Sequence, residues 1–137
     1  MSLLLKNGSI ITCDEEGTFI KDGAVGINGS LIDYVGEYKA DLDEKYDRII
    51  DMSCKAIMPG FVNAHNHAAM SLLRNYADDM RLMDWLFNKI FPLEDKLTEE
   101  GAYWGSCLAM LEMLKGGTTA FCDMYMFMDK TAEAVAQ

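Results

Sequence analysis

The sequence has few basic residues, few histidines and no long apolar run, and each shortage excludes a class of function. Lys and Arg total 12 against 22 Asp and Glu, so the formal net charge is -10. Nucleic acid and anionic membrane surfaces both carry negative charge and would repel such a chain. No apolar run approaches the roughly 20 residues that a transmembrane helix needs. We therefore expect neither nucleic acid nor a membrane as a partner.

The four cysteines are too widely spaced for a C-x-x-C metal or redox motif. Cys54, Cys107 and Cys122 lie within or beside apolar stretches, which favours buried free thiols. The N-terminus lacks the basic block and apolar block of a signal peptide. These features are typical of a cytoplasmic protein with reduced thiols.

Residues 1–57 alternate short apolar stretches with turn signals, a pattern that predicts β structure. Asn7-Gly8 and Asn28-Gly29 are typical two-residue hairpin turns, and Lys21-Asp22-Gly23 predicts another turn. Turns that recur about every 8–12 residues favour a small antiparallel sandwich or barrel. We interpret residues 1–57 as part of a small β-sandwich.

Residues 58–137 instead alternate strands with helices. Residues 56–64 form a mostly apolar run, as expected for a strand buried on both faces, and residues 118–125 predict a second such strand. The βαβα order predicts a parallel sheet with helical crossovers and hence an α/β fold. A complete (β/α)8 barrel takes about 250 residues. We therefore interpret residues 58–137 as the first two β/α units of a TIM-type barrel, an incomplete fold.

Three helices are predicted in this second part. One covers residues 84–90 and should stop before Pro92. The clearest begins after Thr98, a favourable N-cap, and ends at Gly116-Gly117. A last helix begins near Asp129. The long helix should bury an apolar stripe that recurs at helical spacing, made of Trp104, Cys107, Leu108, Leu111 and Leu114.

The only two histidines are His65 and His67, at the end of the first apolar strand. Residues i and i+2 of a strand project from the same face, so both imidazoles can reach one metal ion while Asn66 points away. The carboxyl ends of barrel strands are where barrel active sites lie. The pair therefore predicts a metal site. A bare His-x-His is more often structural, but desolvating two neutral imidazoles here without a partner would be costly.

Residues 58–67, Met-Pro-Gly-Phe-Val-Asn-Ala-His-Asn-His, resemble the first barrel strand of the amidohydrolase superfamily. The segments that follow resemble the deaminases of 5-methylthioadenosine and S-adenosylhomocysteine. These segments are residues 68–74, 77–79, 84–86, 90–94, 96–99, 108–114, 117–119 and 123–125. Related enzymes that act on triazines, guanine or cytosine share part of the pattern, so these ring substrates remain alternatives.

The resemblance implies a metal-dependent hydrolase with one divalent metal ion, usually zinc. His65 and His67 match two ligands, and a zinc-activated hydroxide would replace the amino group of an adenine nucleoside. Trp85 matches a pocket aromatic that packs against the substrate, and Glu94 matches a carboxylate that hydrogen-bonds the ribose hydroxyls. Asn66 departs from the pattern, which commonly has Thr there. No catalytic acid/base residue is assigned, because the family's later ligands and acid/base groups have no counterpart here.

Two interpretations of this incomplete pattern remain open. The chain is either the N-terminal piece of such a deaminase, inactive when alone, or a non-catalytic remnant that folds only through self-association or with a partner. Free strand edges and uncovered apolar faces favour pairing with another copy in both cases, so a homo-oligomer is expected.

Overall fold

Residues 1–59 form a five-stranded mixed sheet in a computed structural model that describes residues 1–137. Its strands are β1 (Ser2–Ile11), β2 (Phe19–Asn28), β3 (Leu31–Glu37), β4 (Arg48–Asp51) and β5 (Ala56–Ile57). The order is β3-β2-β1-β4, and β5 also pairs with β1. β1 and β3 run antiparallel to β2, whereas β4 and β5 run parallel to β1. The purely antiparallel sheet predicted from the turns is therefore wrong, because the chain returns to the far side of β1 through a 3-10 helix (Ala40–Glu44).

Two of the three predicted turns are bulges inside continuous strands. Asn7 in β1 and Asp22 in β2 have φ values of 64° and 54°, and the pairing register shifts on both sides of Gly8. Two predictions are therefore wrong: the hairpin at Asn7-Gly8 and the turn at residues 21–23. A residue in the left-handed conformation occurs in β-bulges as well as in turns, so the sequence signal is the same for both. The third prediction is confirmed as a hairpin between β2 and β3, although its two-residue loop is Gly29-Ser30, because Asn28 still pairs with Leu31.

The sheet has a small core of its own. Leu4, Ala24 and Leu42 are buried together, with Tyr34, Tyr38 and Tyr46 packed against them. Strand alternation places Leu4 on the buried face of β1, and the 3-10 helix contributes Leu42. This part of the chain therefore supplies its own buried aliphatic side chains.

Residues 60–137 form a separate compact unit of two strands and their helices. Strands β6 (Phe61–Asn66) and β7 (Thr118–Asp123) run parallel, which confirms the predicted crossover. Between them lie a 3-10 helix (Ala68–Leu73), α1 (Leu82–Trp85), a π-helical turn (Leu86–Ile90), α2 (Phe91–Glu94) and α3 (Glu99–Lys115). Helix α4 (Met128–Val135) follows β7. This unit has the predicted α/β character.

Two predicted boundaries in this region are wrong, and both involve proline. The strand expected over residues 56–64 is interrupted between Ile57 and Phe61, where Pro59 cannot donate a ladder hydrogen bond. The helix expected to stop before Pro92 instead continues to Glu94. Pro92 directly follows the π-helical turn, where the Phe91 N–H bonds to the Leu86 carbonyl five residues back instead of four, so the regular α-helical pattern is already interrupted at the proline.

Helix α3 has its predicted ends but not its predicted buried face. The Thr98 side chain accepts a hydrogen bond from the Gly101 N–H at 3.0 Å, and the helix ends at Lys115. Its buried residues are small: Ala102, Gly105, Ser106 and Ala109. The predicted stripe is largely exposed, with Trp104 at 60%, Leu111 at 57% and Leu114 at 65%. The helix is apolar on both sides, and the small side allows the closer approach to its neighbours.

The cysteines are free thiols, as predicted, but they are not buried. Cys54 and Cys122 are exposed, and Cys107 is only partly covered. Cys54 lies in a tight turn with φ 62°, and Cys122 lies on a two-stranded sheet that leaves much of its surface open. Apolar neighbours in sequence therefore did not imply burial. No helix has the length and apolar character needed to cross a membrane.

Candidate functional site

The two histidine rings converge at the carboxyl end of β6. His65 belongs to the strand and His67 follows its last residue. Their Nε2 atoms lie 3.4 Å apart, and the ring planes are nearly perpendicular at 82°. His65 is exposed and His67 is half-buried. The i, i+2 spacing thus brings both imidazoles to one point, while their binding of a metal stays a prediction.

A backbone carbonyl determines which nitrogen of His67 is available. Nδ1 of His67 lies 2.6 Å from the carbonyl oxygen of Met124. A carbonyl oxygen can only accept a hydrogen bond, so Nδ1 carries the proton and donates it. In the neutral ring, Nε2 then presents a lone pair toward His65. This arrangement is typical of metal-bound histidines, whose second nitrogen donates to a carbonyl or carboxylate.

The spacing of the two nitrogens fits a tetrahedral zinc site. Zn–N bonds of about 2.0–2.1 Å place two donors of a tetrahedron roughly 3.3–3.4 Å apart. The observed Nε2–Nε2 separation is 3.4 Å. The same two atoms could share a weak hydrogen bond, but that contact would use the same lone pair on His67. The donor set therefore fits a metal that prefers imidazole ligands.

Asp123 connects the end of β7 to the residue after the histidines. Its two carboxylate oxygens accept from the Ala68 N–H at 3.3 and 3.2 Å, and Oδ1 also accepts from the Met124 N–H at 2.8 Å. The Asp123 carboxylate thereby fixes the backbone directly after His67. The carbonyl of the next residue, Met124, accepts the hydrogen bond from the His67 ring. Residues at the end of β7 therefore orient the His67 ring and the backbone that follows it.

Glu94 reaches the same region through Tyr125. The Tyr125 hydroxyl donates to Glu94 Oε1 at 2.7 Å, and the Tyr125 ring centre lies 6.0 Å from that of His67. Burial, and then the hydrogen bond and charge of Glu94, raise the pKa of Tyr125. The phenol thus keeps its proton and remains a donor. The structure brings His65, His67 and Glu94 into one neighbourhood by way of this tyrosine.

Trp85 lies in a different cavity from the histidines. The half-buried indole lines an open cavity of about 520 Å³ together with Met70, Asp78, Asp79 and Ile90. Neither histidine nor Glu94 lines that cavity. The contact of Trp85 with substrate therefore stays a prediction, and the position of Trp85 in the structure does not support it.

The chain groups no three His, Cys, Asp or Glu side chains in a way that could hold a metal ion. His65 and His67 are thus a pair without a third side-chain donor nearby. Asn66 between them has a buried Nδ2 atom that lacks a hydrogen-bond partner.

A sequence model of the amidohydrolase family matches residues 56–137, more than half of the chain. The chain belongs to the amidohydrolase family. The matched region begins at β5 and includes both histidines, Trp85 and Glu94.

Several of the similar proteins are deaminases. A 5-methylthioadenosine/S-adenosylhomocysteine deaminase from Thermoanaerobacter pseudethanolicus is 49% identical over 137 residues, covering all of this chain and 31% of the relative. A 5'-deoxyadenosine deaminase from Methanosarcina barkeri is 47% identical, covering 97% of this chain and 30% of the relative. A zinc-bound adenosine deaminase from Xanthomonas campestris superposes with a TM-score of 0.91 at 36% identity, covering 98% of this amidohydrolase chain and 31% of that one. The chain thus spans about a third of the length of the curated relatives it matches.

Two contributors to this site, Met124 and Tyr125, were not predicted from the sequence. Met124 and Tyr125 were both noted only as part of the matching segment 123–125. Both follow β7, whose carboxyl end meets that of β6 at the same edge of the parallel sheet. The strand pairing was the available signal, because residues after neighbouring parallel strands converge. The use of a backbone carbonyl carries no sequence signal.

Proposed function

We propose that this chain is the N-terminal part of a metal-dependent amidohydrolase that deaminates an adenine nucleoside such as 5-methylthioadenosine or S-adenosylhomocysteine. The observation that carries the proposal is the pair of imidazoles converging at the end of β6, with His67 oriented by a carbonyl. The names of the similar proteins support the reaction and the substrate class.

His65 and His67 would hold one divalent metal ion, and zinc suits their imidazole nitrogens. When bound, such a metal lowers the pKa of a coordinated water and makes it a nucleophile at neutral pH. Catalytic zinc normally takes three protein ligands. Since no third donor is grouped with the pair, the remaining ligands and the acid/base group would come from outside residues 1–137. The same requirement predicts that this chain alone does not deaminate nucleosides.

The proposed architecture is the start of a TIM-type barrel. β6, α3, β7 and α4 supply two strand–helix units with parallel strands. Barrel enzymes place their active sites at the carboxyl ends of the strands, which is where His65 and His67 lie. Residues 1–57 would be the β-sandwich portion and residues 58–137 the barrel portion. The compact units divide at Pro59, close to this boundary.

Glu94 and Trp85 would recognise the nucleoside. A carboxylate is an acceptor only, so it suits the two hydroxyl donors of a ribose. Trp85 would pack against the substrate with its broad apolar face. The net charge of -10 makes a small molecule a more suitable partner than nucleic acid. The exposed side chains of α3 are large and apolar, which favours a homo-oligomer or cover by further chain.

The proposal is tested by ammonia release from 5-methylthioadenosine and S-adenosylhomocysteine with zinc present, using the complete reading frame and residues 1–137 in parallel. We expect turnover by the complete protein and none above background by residues 1–137. In the complete protein, Glu94→Ala should lower kcat/KM mainly through a higher KM, because a ribose contact made in the ground state acts on binding. Turnover by residues 1–137 alone, or unchanged nucleoside kinetics in Glu94→Ala, would contradict these assignments.

A further inference from the structure

Tyr125 touches both parts of the candidate site and has no role in the proposed function. It lies just after β7, half-buried, with its ring beside the ring of His67. Its hydroxyl donates to Glu94 Oε1 at 2.7 Å. The other tyrosines with hydrogen-bonded hydroxyls, Tyr34, Tyr38 and Tyr46, belong to residues 1–59.

Glu94 has few other contacts that could orient its carboxylate. It is the last residue of the short helix α2, and its half-buried carboxylate takes part in none of the salt bridges of the structure. The Tyr125 hydroxyl is the side-chain partner that the structure gives it. A hydrogen bond to one oxygen fixes the rotation of the carboxyl group and leaves the second oxygen free to accept from a ligand.

We infer that Tyr125 is a positioning residue that fixes the Glu94 carboxylate relative to the histidine pair and thereby sets the preference for substrates with ribose hydroxyls. This inference rests on the proposed function, because it uses Glu94 as the group that binds ribose. The Tyr125 ring packs beside His67, and its hydroxyl donates to Glu94. The residue therefore connects the proposed metal ligands to the carboxylate proposed to bind ribose. It touches no reacting atom in this role.

The test removes the hydroxyl and keeps the ring, with Tyr125→Phe in the complete protein. Loss of a hydrogen bond to a charged group should raise KM for 5-methylthioadenosine about tenfold and leave kcat within about twofold. With the 2',3'-dideoxy analogue, the variant and the parent should have similar KM values. Equilibrium binding of the deaminated product should weaken by the same factor, which gives a readout without turnover. Tyr103→Phe on α3 is the matched control and should leave all of these values unchanged.

A double-mutant cycle shows whether Tyr125 acts through Glu94. In the Glu94→Ala background, Tyr125→Phe should change KM by less than about twofold, because the group it positions is gone. Additive effects in the cycle, equal losses on the ribosyl and dideoxy substrates, or an unchanged KM would each overturn the inference. A parent protein that neither binds nor deaminates nucleosides would overturn the proposed function, and this inference with it. A parent that is active but insensitive to Tyr125→Phe would overturn the inference alone.

Discussion

The two units of this chain bury different kinds of side chain. Residues 1–59 bury the large aliphatic residues Leu4, Ile10, Val25 and Leu42. Residues 60–137 bury only one aliphatic residue larger than alanine, Ile90. Their other buried hydrophobic residues are all alanines: Ala68, Ala69, Ala102, Ala109 and Ala134.

In the second unit, small residues pack closely near the histidines, whereas many large apolar side chains remain exposed. Small residues let α3 approach the 3-10 helix after His67 so closely that a Cβ at Gly105 would lie 2.8 Å from the Ala69 carbonyl oxygen. A buried Ser106–Thr131 hydroxyl contact at 2.9 Å joins α3 to α4. The large apolar residues meanwhile remain open, including Phe61 at 55% and Val62 at 70% exposed. The second unit is thus closely packed behind its histidines and open elsewhere.

Leu4→Ala should produce the largest loss of stability, because it removes the centre of the first unit's core. We expect roughly 2–5 kcal/mol, from lost burial and the remaining cavity. Hydrogen exchange of the β1 and β2 amides, read by mass spectrometry, would localise the effect. Leu31→Ala, at a residue that is 71% exposed, should change stability by less than about 0.5 kcal/mol. Equal effects of the two variants would mean that the first unit has no core of its own.

Gly105→Ala should have the next largest effect, because the second unit depends on close approach instead of large side chains. The new methyl group would meet backbone atoms of Ala69 and should cost about 1–3 kcal/mol. Both tryptophans lie in residues 60–137, so urea denaturation followed by tryptophan fluorescence reports on this unit. Gly101→Ala is the matched control in the same helix, since its methyl group would meet side-chain atoms of Leu97, Thr98 and Leu72 at 3.3–3.9 Å and no backbone atom. A helical Gly→Ala change there should be neutral or stabilise by up to about 1 kcal/mol.

The smallest expected effect is that of Arg74→Lys, and it depends on pH. Arg74 donates to both carboxylate oxygens of Glu112, at 2.8 and 2.6 Å, and this contact lowers the pKa of Glu112. The folded-state pKa lies below the unfolded one, so the stabilisation is present at neutral pH and lost as pH falls through the folded value. Lysine cannot make the bidentate contact. The urea concentration at the midpoint of unfolding should therefore be slightly lower for Arg74→Lys than for the parent at pH 7.

That difference should disappear once Glu112 is protonated in both proteins. Arg81→Lys is the control, because Arg81 forms no salt bridge in the structure and its replacement should have no effect at either pH. A difference of the same size at acid pH would indicate a packing role for Arg74 instead of an ion pair.

Much of the second unit could be predicted from local signals, whereas the first unit could not. The Thr98 cap and Gly116-Gly117 define α3 by local hydrogen bonding, and both ends were predicted. Asn7-Gly8 supplies the same backbone conformation to a hairpin and to a bulge, and only the partner strand decides between them. The buried face of α3 was predicted wrongly for a similar reason. The helix is apolar on two sides, and the sequence of the helix alone does not indicate which side packs against its neighbours.

The candidate site was predictable as far as the spacing of His65 and His67 and no further. The i, i+2 rule gives convergence without any tertiary information. The orientation of the His67 ring by the Met124 carbonyl and the contact between Tyr125 and Glu94 join residues far apart in sequence. Such contacts follow from the parallel pairing of β6 with β7, which the sequence implied without its register.

The most direct test of the central claim is the zinc content of the complete protein and its variants after dialysis, measured by mass spectrometry of the metal. We expect about one zinc per chain in the parent and in Asn66→Ala, because Asn66 lies between the histidines in sequence and strand alternation turns its side chain to the opposite face. The His65→Ala/His67→Ala variant should stay folded by circular dichroism and lose both its zinc and its release of ammonia from 5-methylthioadenosine. A folded double variant that retains zinc would contradict the assignment of these two histidines as metal ligands.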